Sequence, residues 1–258
     1  MKVGIIGRGT VGSAVYDGLE GQGHDVSFYD PKFDSSSLQD VLHTECVFVS
    51  VPTDSAHNGD CDTSIIERVT EELAQHNYQG LVCIKSTVIP GTTDRLQQQY
   101  PQLRMACVPE FLRARSALSD FVYNHDVLVI GTTNDSDFHL VKSIHGFIPR
   151  NTVQVKPIEA EMVKYFNNVH HAVQVTFANI IYEICQRIGA DYNNVYDAII
   201  KRDCINPHYL LVNQKFRGFG GHCLPKDTRA LNNLLDHLGL DFDLIKAVLS
   251  DNNKVNNG

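Results

Sequence analysis

The sequence predicts an α/β fold in which a doubly wound parallel sheet is followed by a helical domain built on one long central helix. Two observations lead to this prediction. Over residues 1–156, short apolar runs alternate with amphipathic helical stretches, as they do in repeated strand–helix–strand units. From residue 157 onwards the strand signal stops and an apolar stripe with helical spacing replaces it. We therefore predict two domains, 1–156 and 157–258.

Six short runs in the first domain are expected to be strands. They are nearly continuous in Val, Ile and Cys, which is typical of strands buried on both faces of a sheet. The predicted strands are KVGIIG (2–7), DVSFYD (25–30), CVFVSVP (46–52), LVCIKS (81–86), RMACVP (104–109) and DVLVIG (126–131). The stretches between them that read as helices are 10–22, 62–76, 91–99 and 134–146.

The second domain is expected to begin with a helix over 157–188. Pro157 suits the first turn of a helix, and Gly189 suits a left-handed stop. A helix of about 30 residues spans roughly 45 Å, which is more than one small domain covers. We therefore expect its apolar stripe to pack against a partner subunit in a homodimer. The stripe comprises Met162, Phe166, Val169, Val173, Phe177, Ile180, Ile184 and Ile188.

Shorter helices are predicted at 193–201, 228–238 and 241–250, followed by a frayed tail over 251–258.

Composition excludes several classes of protein. The 258 residues carry a net charge of −8 without a basic cluster, so we expect no nucleic-acid partner. No apolar run reaches the length of a membrane span, and the N-terminus does not read as a signal peptide. The seven cysteines are scattered, and neither they nor the histidines have metal-site spacing, so no metal is expected. Free thiols in a reducing cytoplasm are the natural interpretation.

A glycine motif follows the first predicted strand. Gly7, Gly9 and Gly12 form GxGxxG at the start of a helix, and Asp30 ends the second strand 18 residues later. Gly7 allows the tight turn, Gly9 lets a pyrophosphate approach the backbone, and Gly12 lets the helix pack on the strand. This context predicts a Rossmann-like site for NAD, with Asp30 accepting from the ribose hydroxyls and Lys32 slightly weakening the preference over NADP. The alternative is a glycine turn that binds nothing.

The long helix carries polar residues on one face. Glu161, Lys164 and Asn168 are spaced i, i+3 and i+7, so their side chains point the same way. From geometry alone, an ordinary solvated face is the more common explanation. A functional role is the less common one.

Cys223 lies in GFGGHCLPKD (218–227), between a glycine-rich turn and a predicted helix start. The glycines let a ligand approach the backbone. A thiol at a helix N-terminus, near His222 and Lys226, is expected to favour its reactive thiolate form. The alternative is a small structural thiol, which is how we interpret Cys46, Cys83, Cys107 and Cys185.

Taken together, these segments resemble the UDP-glucose/GDP-mannose 6-dehydrogenase family. GFGGHCLPKD is similar to the family's catalytic cysteine motif, and the other signatures follow the family's order from Gly7 to Asp227. They are SVPT (50–53), KSTVIPGT (85–92), VPEFLRARSALSDF (108–121) and EMVKYFNN (161–168). The resemblance covers nearly the whole chain.

The resemblance implies a set of catalytic roles. Cys223 would be the nucleophile, and Lys164 and Asn168 would stabilise the developing oxyanion. Asp227 would position or activate water. Together they would convert the C6 alcohol of a nucleotide sugar into a carboxylate, because the cysteine adduct of the intermediate aldehyde can deliver a second hydride.

The resemblance also implies the remaining site residues. Thr87 would lie near nicotinamide and water, and Glu110 would take a proton from water if burial raised its pKa. Lys226 would reach the NAD pyrophosphate. The implied cofactor site comprises Gly7, Gly9, Thr10, Val11, Gly12, Asp30, Lys32, Val51, Pro52, Thr53, Ser86, Thr87, Glu110 and Lys226.

Some positions depart from the family pattern and keep two alternatives open. Ala114 stands where the family has a second acid, and Cys204 or Asn206 stands where it has an arginine, with Arg202 as a nearby substitute. The chain also stops before the family's C-terminal nucleotide-sugar domain, so we expect a short form. The first alternative is a non-catalytic NAD-binding dimerisation module. The second is a two-electron β-hydroxyacid-type dehydrogenase in which Cys223 plays no part.

Overall fold

The computed structural model describes residues 1–56, 58–215 and 217–256. They form two compact units. The first comprises Met1–Asp54 and Asp62–Lys164, and the second comprises Ser55–Cys61 and the chain from Tyr165 onwards. The predicted domains, 1–156 and 157–258, are not tested by this division and stay predictions, and residues 57, 216, 257 and 258 lie outside the described part.

The first unit is built on one seven-stranded sheet. Its strands are β1 (Lys2–Ile6), β2 (Asp25–Tyr29), β3 (Cys46–Val49), β4 (Leu81–Ile84), β5 (Arg104–Cys107), β6 (Val127–Gly131) and β7 (Asn151–Val155). Their order is β2-β1-β3-β4-β5-β6-β7. Neighbouring strands are parallel except for β5 and β6, which are antiparallel. The predicted α/β fold class is confirmed, and all six predicted strands are present.

The sheet differs from the prediction in two places. The prediction omitted β7, because its sequence NTVQV alternates polar and apolar residues and the strand is only partly buried. The sheet is mostly parallel, as predicted, whereas β5 and β6 form an antiparallel pair. Both strands are nearly continuous buried runs, which is the pattern from which the parallel direction was inferred.

Helices cover both faces of the sheet. They are α1 (Thr10–Glu20), α2 (Ser64–Gln75), α3 (Thr92–Gln99), α4 (Ala117–Val122) and α5 (Asp135–His145). One core cluster buries residues of α1, α4 and α5 against the sheet, and a second buries residues of α2 and α3. The four predicted helices in this unit are confirmed within two residues at each end. The prediction missed α4, which has only six residues.

The helix α6 (Pro157–Ile188) has the predicted bounds, and Gly189 follows it with a φ of 75°. Its first two turns belong to the first unit and the remainder to the second. Much of the apolar stripe is exposed in the single chain, with Phe166 at 74%, Phe177 at 60% and Ile188 at 72%. Exposure of large apolar side chains along one helix is typical of a surface that another protein covers.

The second unit also contains α7 (Tyr192–Ile199), α8 (Cys223–His237) and α9 (Leu244–Asn256). Two of these helices differ from the prediction. Helix α8 begins at Cys223 rather than at 228, because Pro225 is tolerated in a first turn whose N–H groups have no intrahelical acceptor. Helix α9 continues to Asn256, so the prediction of a frayed tail is wrong for 251–256, and 257–258 lie outside the described residues.

No helix among the described residues is long and apolar enough to cross a membrane. Within the same residues, no group of three or more His, Cys, Asp or Glu side chains could hold a metal ion.

Candidate active site

The glycine turn between β1 and α1 has the geometry of a phosphate-binding loop. Gly7 adopts a φ of 88°, and a Cβ added to it would lie 2.7 Å from the carbonyl oxygen of Ser50. A Cβ on Gly12 would lie 1.9 Å from the carbonyl oxygen of Gly7, whereas one on Gly9 would meet no atom within 4 Å. Gly9 also starts α1 without a side-chain cap. The turn therefore leaves open space and backbone N–H groups where an anion would approach.

Asp30 directly follows β2 and is held by backbone donors. Its Oδ2 accepts from the Arg8 N–H at 2.7 Å, and its Oδ1 accepts from the Lys32 N–H at 2.9 Å. The Arg8 guanidinium lies over the rings of Tyr16 and Phe28, at 4.1 and 4.3 Å from their centroids. Each carboxylate oxygen retains acceptor capacity, as a pair of ribose hydroxyls would require.

The other predicted cofactor residues of the first unit follow the carboxyl ends of parallel strands. Thr10 and Val11 lie in the first turn of α1, and Ser86 donates a 2.7 Å hydrogen bond to the carbonyl of Val51. Ligands of open α/β sheets bind outside these strand ends. The strands in question are followed by Val51, Pro52 and Thr53 after β3, by Ser86 and Thr87 after β4, and by Glu110 after β5.

Glu110 is buried, but its pKa is not raised. Burial is the largest single influence on this pKa and works to raise it, but the ammonium of Lys85, 3.0 Å from the Glu110 carboxylate, and His125 both lower it. With a further hydrogen bond from the Phe111 N–H, the pKa of Glu110 falls to about 2. The prediction of a raised pKa is therefore wrong, because it considered burial without the buried lysine.

Lys85 is the functional candidate that the sequence analysis missed. Its side chain is fully buried and also lies 5.4 Å from the centre of the Phe48 ring. A lysine directly after the buried strand β4 was the available signal. An ammonium at that position has to be paired if it is to be buried.

Lys164, near the start of α6, is positioned by the main chain of Glu110. Its Nζ donates a 2.5 Å hydrogen bond to the Glu110 carbonyl oxygen and lies 5.5 Å from the Phe111 ring centre. The side chain of Glu110 thus pairs with one lysine and its backbone with another.

Glu161 has a structural explanation. Its carboxylate accepts from the N–H of Gly91 at 2.5 Å and from both the N–H and the hydroxyl of Thr93, at 2.8 and 2.6 Å. These groups lie at the N-terminus of α3, so Glu161 caps that helix. Burial raises the pKa of Glu161, and the donated hydrogen bonds oppose the rise. The face of α6 that carries Glu161 and Lys164 therefore partly serves to contact the start of α3.

In the second unit, Cys223 is the first residue of α8 and is exposed. His222 precedes the helix without a side-chain cap. The thiol therefore lies at a helix N-terminus, as the sequence predicted. Four of the other cysteines, at 46, 83, 107 and 185, are buried, as expected for structural thiols.

Asp227, one turn further along α8, lies in a buried polar group. Its Oδ2 accepts from Nδ2 of Asn168 at 2.5 Å, and its Oδ1 lies 2.6 Å from Nζ of Lys226. Asn167 donates to the Asn168 side-chain oxygen at 2.8 Å. Lys226 was expected to reach a pyrophosphate. Its side chain is 6% exposed and paired with the neighbouring carboxylate, and the pyrophosphate contact stays a prediction.

The predicted site residues thus fall into two groups. The first unit brings together the glycine turn, Asp30, the loops after β3 and β4, Glu110 and Lys164. The second unit brings together Asn168, Cys223, Lys226 and Asp227. Each group combines a glycine turn at a helix start with a buried lysine–carboxylate pair.

Two domain models of one protein family match the chain. Residues 31–148 match the NAD binding domain of the UDP-glucose/GDP-mannose dehydrogenase family, and residues 158–254 match the central domain of the same family. The prediction of NAD as the cofactor is confirmed by the first match.

Individual relatives agree with this result. The chain is 31% identical to UDP-glucose 6-dehydrogenase of Rickettsia bellii over 229 residues, which are 86% of this chain and 52% of that protein. The chain thus spans about half the length of the curated relatives it matches.

Solved structures give the same picture. A UDP-glucose dehydrogenase of Pyrobaculum islandicum superposes with a TM-score of 0.89 at 29% identity, covering 98% of this chain and 68% of the other. The 3-hydroxyisobutyrate dehydrogenase of Mycobacterium tuberculosis superposes with a TM-score of 0.75 at 15% identity, a likeness of fold alone.

Proposed function

Since the chain belongs to the UDP-glucose/GDP-mannose dehydrogenase family, we propose that it oxidises the C6 primary alcohol of a nucleotide sugar to a carboxylate in two steps. The observation that carries the proposal is the exposed Cys223 at the start of α8, one turn from the buried Asp227. We assign the nucleophile to this thiol because it is exposed, and because the glycines before it let a ligand approach the backbone.

The first unit fits NAD. Glycine is sterically required at Gly7 and Gly12, open space lies at Gly9, and the fixed carboxylate of Asp30 disfavours a 2′-phosphate. When bound, NAD⁺ supplies the two hydride acceptors that the oxidation needs. The turn holds the phosphates, and Asp30 accepts hydrogen bonds from the ribose.

The second unit supplies the covalent step. After the alcohol has lost one hydride and one proton, the thiolate of Cys223 adds to the aldehyde carbon and gives a thiohemiacetal. Loss of a second hydride and the hydroxyl proton leaves a thioester. Water then displaces the thiol, so that one alcohol, two NAD⁺ and one water give one carboxylate, two NADH and three protons.

Lys164 and Asn168 are assigned to the oxygen on which negative charge develops. Lys164 is a cation, and the Asn168 amide is oriented by Asp227 and Asn167. Preorganised donors of this kind stabilise an oxyanion without reorganisation during the reaction. Asp227 keeps the amide in place and orients water.

Glu110 is assigned a different role from the one the sequence suggested. A carboxylate with a pKa of about 2 is a weak base at neutral pH, so it does not hold a proton taken from water. We assign Glu110 to orienting water, together with Thr87, and to positioning Lys164 through its carbonyl group.

A homodimer is part of the proposal. The exposed apolar side chains along α6 are those expected at a contact between subunits. Sedimentation velocity should give a dimer for the wild type and a monomer for Phe177→Glu. A monomeric wild type would contradict this part. The seven free thiols support a reducing compartment, and we propose the cytoplasm.

The test is a panel of nucleotide sugars with NAD⁺, in which NADH and acid are both quantified. The proposal predicts two NADH for each acid formed with at least one sugar nucleotide. For the variant Cys223→Ser, the matched control is Cys204→Ser, since Cys204 is also an exposed thiol and has no assigned role.

The outcomes separate the alternatives. A two-electron dehydrogenase would give one NADH per product, and Cys223→Ser would leave its turnover unchanged. A non-catalytic module would give no NADH with any sugar, although it would bind NAD. Either result would overturn the proposed oxidation.

A further inference from the structure

We infer that Asn252 and Asn179 are positioning residues that hold the glycine turn 217–222 and thereby fix Cys223 at the start of α8. The inference rests on the proposed function for its catalytic consequence, but its structural part does not. Both asparagines lie outside every motif considered so far, on α9 and α6 respectively.

Asn252 pairs with the backbone of Phe219 in the manner of a neighbouring β-strand. Its Oδ1 accepts from the Phe219 N–H at 2.6 Å, and its Nδ2 donates to the Phe219 carbonyl oxygen at 2.9 Å. The Asn252 side chain is buried, at 5% exposure of the residue. Two hydrogen bonds from one amide fix both the position and the direction of the peptide.

Asn179 holds the turn one residue earlier, at Gly218, from a second helix. Its Oδ1 accepts from the Gly218 N–H at 3.2 Å and from Nε of Arg217 at 2.9 Å. Its Nδ2 donates to the carbonyl oxygen of Val175, so the amide itself is fixed on α6. Only 1% of the residue is exposed. Arg217 is held further by an ion pair with Glu183.

The side chain of Phe219 completes the attachment. It is 4% exposed and lies in an apolar cluster with Ala172 of α6, Val248 of α9 and Leu224, the residue after Cys223. The turn is thus attached to three helices through Phe219 and its neighbour Gly218.

The turn needs these external contacts because its own glycines provide few. Gly218 and Gly221 have φ values of 60° and 73°. A Cβ on Gly220 or Gly221 would meet no atom within 4 Å. A glycine backbone in open space has many accessible conformations, so on its own it would not fix the helix start that carries the thiol.

Hydrogen exchange tests the structural part on the whole protein without any ligand. In Asn252→Ala, the peptide covering 217–224 should exchange at least tenfold faster than in the wild type, because the Phe219 amide loses its buried acceptor. Lys254→Ala is the matched control, since the Lys254 side chain is exposed and pairs with Asp251 on the same helix, so exchange in 217–224 should stay unchanged. Equal exchange in Asn252→Ala and the wild type would overturn the inference.

Partition between aldehyde and acid tests the catalytic part. With the nucleotide sugar that the wild type oxidises, and semicarbazide as an aldehyde trap, Asn252→Ala should release at least tenfold more aldehyde per acid. The reason is that only the second oxidation needs the thiol. A variant that is merely less stable would lower both oxidations together and leave the ratio unchanged, which would overturn the positioning role.

Asn179→Ala is the second variant if Asn252→Ala fails to fold. It removes the acceptor for the Gly218 N–H and leaves both hydrogen bonds to Phe219 in place, so its exchange and partition should lie between those of the wild type and Asn252→Ala. Wild-type values for both would overturn the inference. If the wild type oxidises no sugar nucleotide, the proposed function fails. The exchange result still decides whether Asn252 and Asn179 hold the turn 217–222.

Discussion

Two glycine-rich turns that each start a helix are held in different ways in this chain. In the turn before α1, added Cβ atoms on Gly7 and Gly12 would lie within 3 Å of carbonyl oxygens, so the backbone packs against itself. In the turn before α8, Gly220 and Gly221 face open space, and the side chains of Asn179 and Asn252 hold the backbone. The same residue type therefore serves close packing in one region and conformational freedom in the other.

The buried lysine–carboxylate pairs of the two units show a second difference. Glu110 is paired with Lys85, a residue 25 positions away in the sequence, whereas Asp227 is paired with its neighbour Lys226. The first pair therefore exists only when β4 and β5 lie side by side. Removing one member of the Lys85–Glu110 pair should destabilise the first unit. The change in the free energy of unfolding measures how much the unit depends on this buried pair.

The largest effect is expected for Lys85→Met. Removing the ammonium leaves the buried Glu110 carboxylate uncompensated, which should lower the free energy of unfolding by about 3–5 kcal/mol. Urea denaturation measures this change. Lys156→Met is the control, because that lysine is exposed and should cost less than about 0.5 kcal/mol. Recovery of stability in the double variant Lys85→Met/Glu110→Gln would confirm that the unpaired charge is the cause, and a cost below about 1 kcal/mol would contradict the pairing.

A pH dependence follows from the same pair. The pKa of Glu110 is lowered from 4.5 to about 2 in the folded state. A lowered pKa contributes stability above the unfolded value, and this contribution is lost as the pH falls from about 4.5 towards 2. Between pH 5 and pH 3 the wild type should lose roughly 2 kcal/mol through this group. The variant Lys85→Met should lack the loss of stability that comes from Glu110. Parallel profiles of stability against pH for the two proteins would refute this prediction.

A pair of alanine substitutions tests the comparison of the two turns directly. Gly12→Ala should cost about 1–3 kcal/mol and weaken NAD binding, because its Cβ would overlap the carbonyl of Gly7. Gly220→Ala should change the free energy of unfolding by less than about 0.5 kcal/mol, because its Cβ meets open space. Thermal unfolding and NAD titration of both variants give the answer. Equal costs would mean that both turns are held in the same way.

Local patterns in the sequence were enough to predict most of the fold. The bounds of α6 followed from a stripe with helical spacing between Pro157 and Gly189, and the six buried strands from their apolar runs. The strand β7 was missed because it is half exposed, so it lacks a continuous apolar run. The antiparallel β5–β6 pair was missed because both strands are buried apolar runs, from which a parallel direction was inferred.

The candidate site was predictable where a motif is local and not where it depends on tertiary contacts. Cys223 and the glycine motif stood out from their neighbours in the chain. The pKa of Glu110 was predicted in the wrong direction, because its partner Lys85 comes from another strand. Asn252 was read as part of a frayed tail, since nothing near it in the sequence reveals that its amide pairs with Phe219.

The most direct test of the proposed chemistry is a comparison of Cys223→Ala with the wild type under aldehyde trapping. The account predicts that the wild type gives two NADH per acid. The variant should give one NADH per trapped aldehyde and form acid at least about 10³-fold more slowly, since the nucleophile is absent. Acid formation by Cys223→Ala at the wild-type rate would contradict the account.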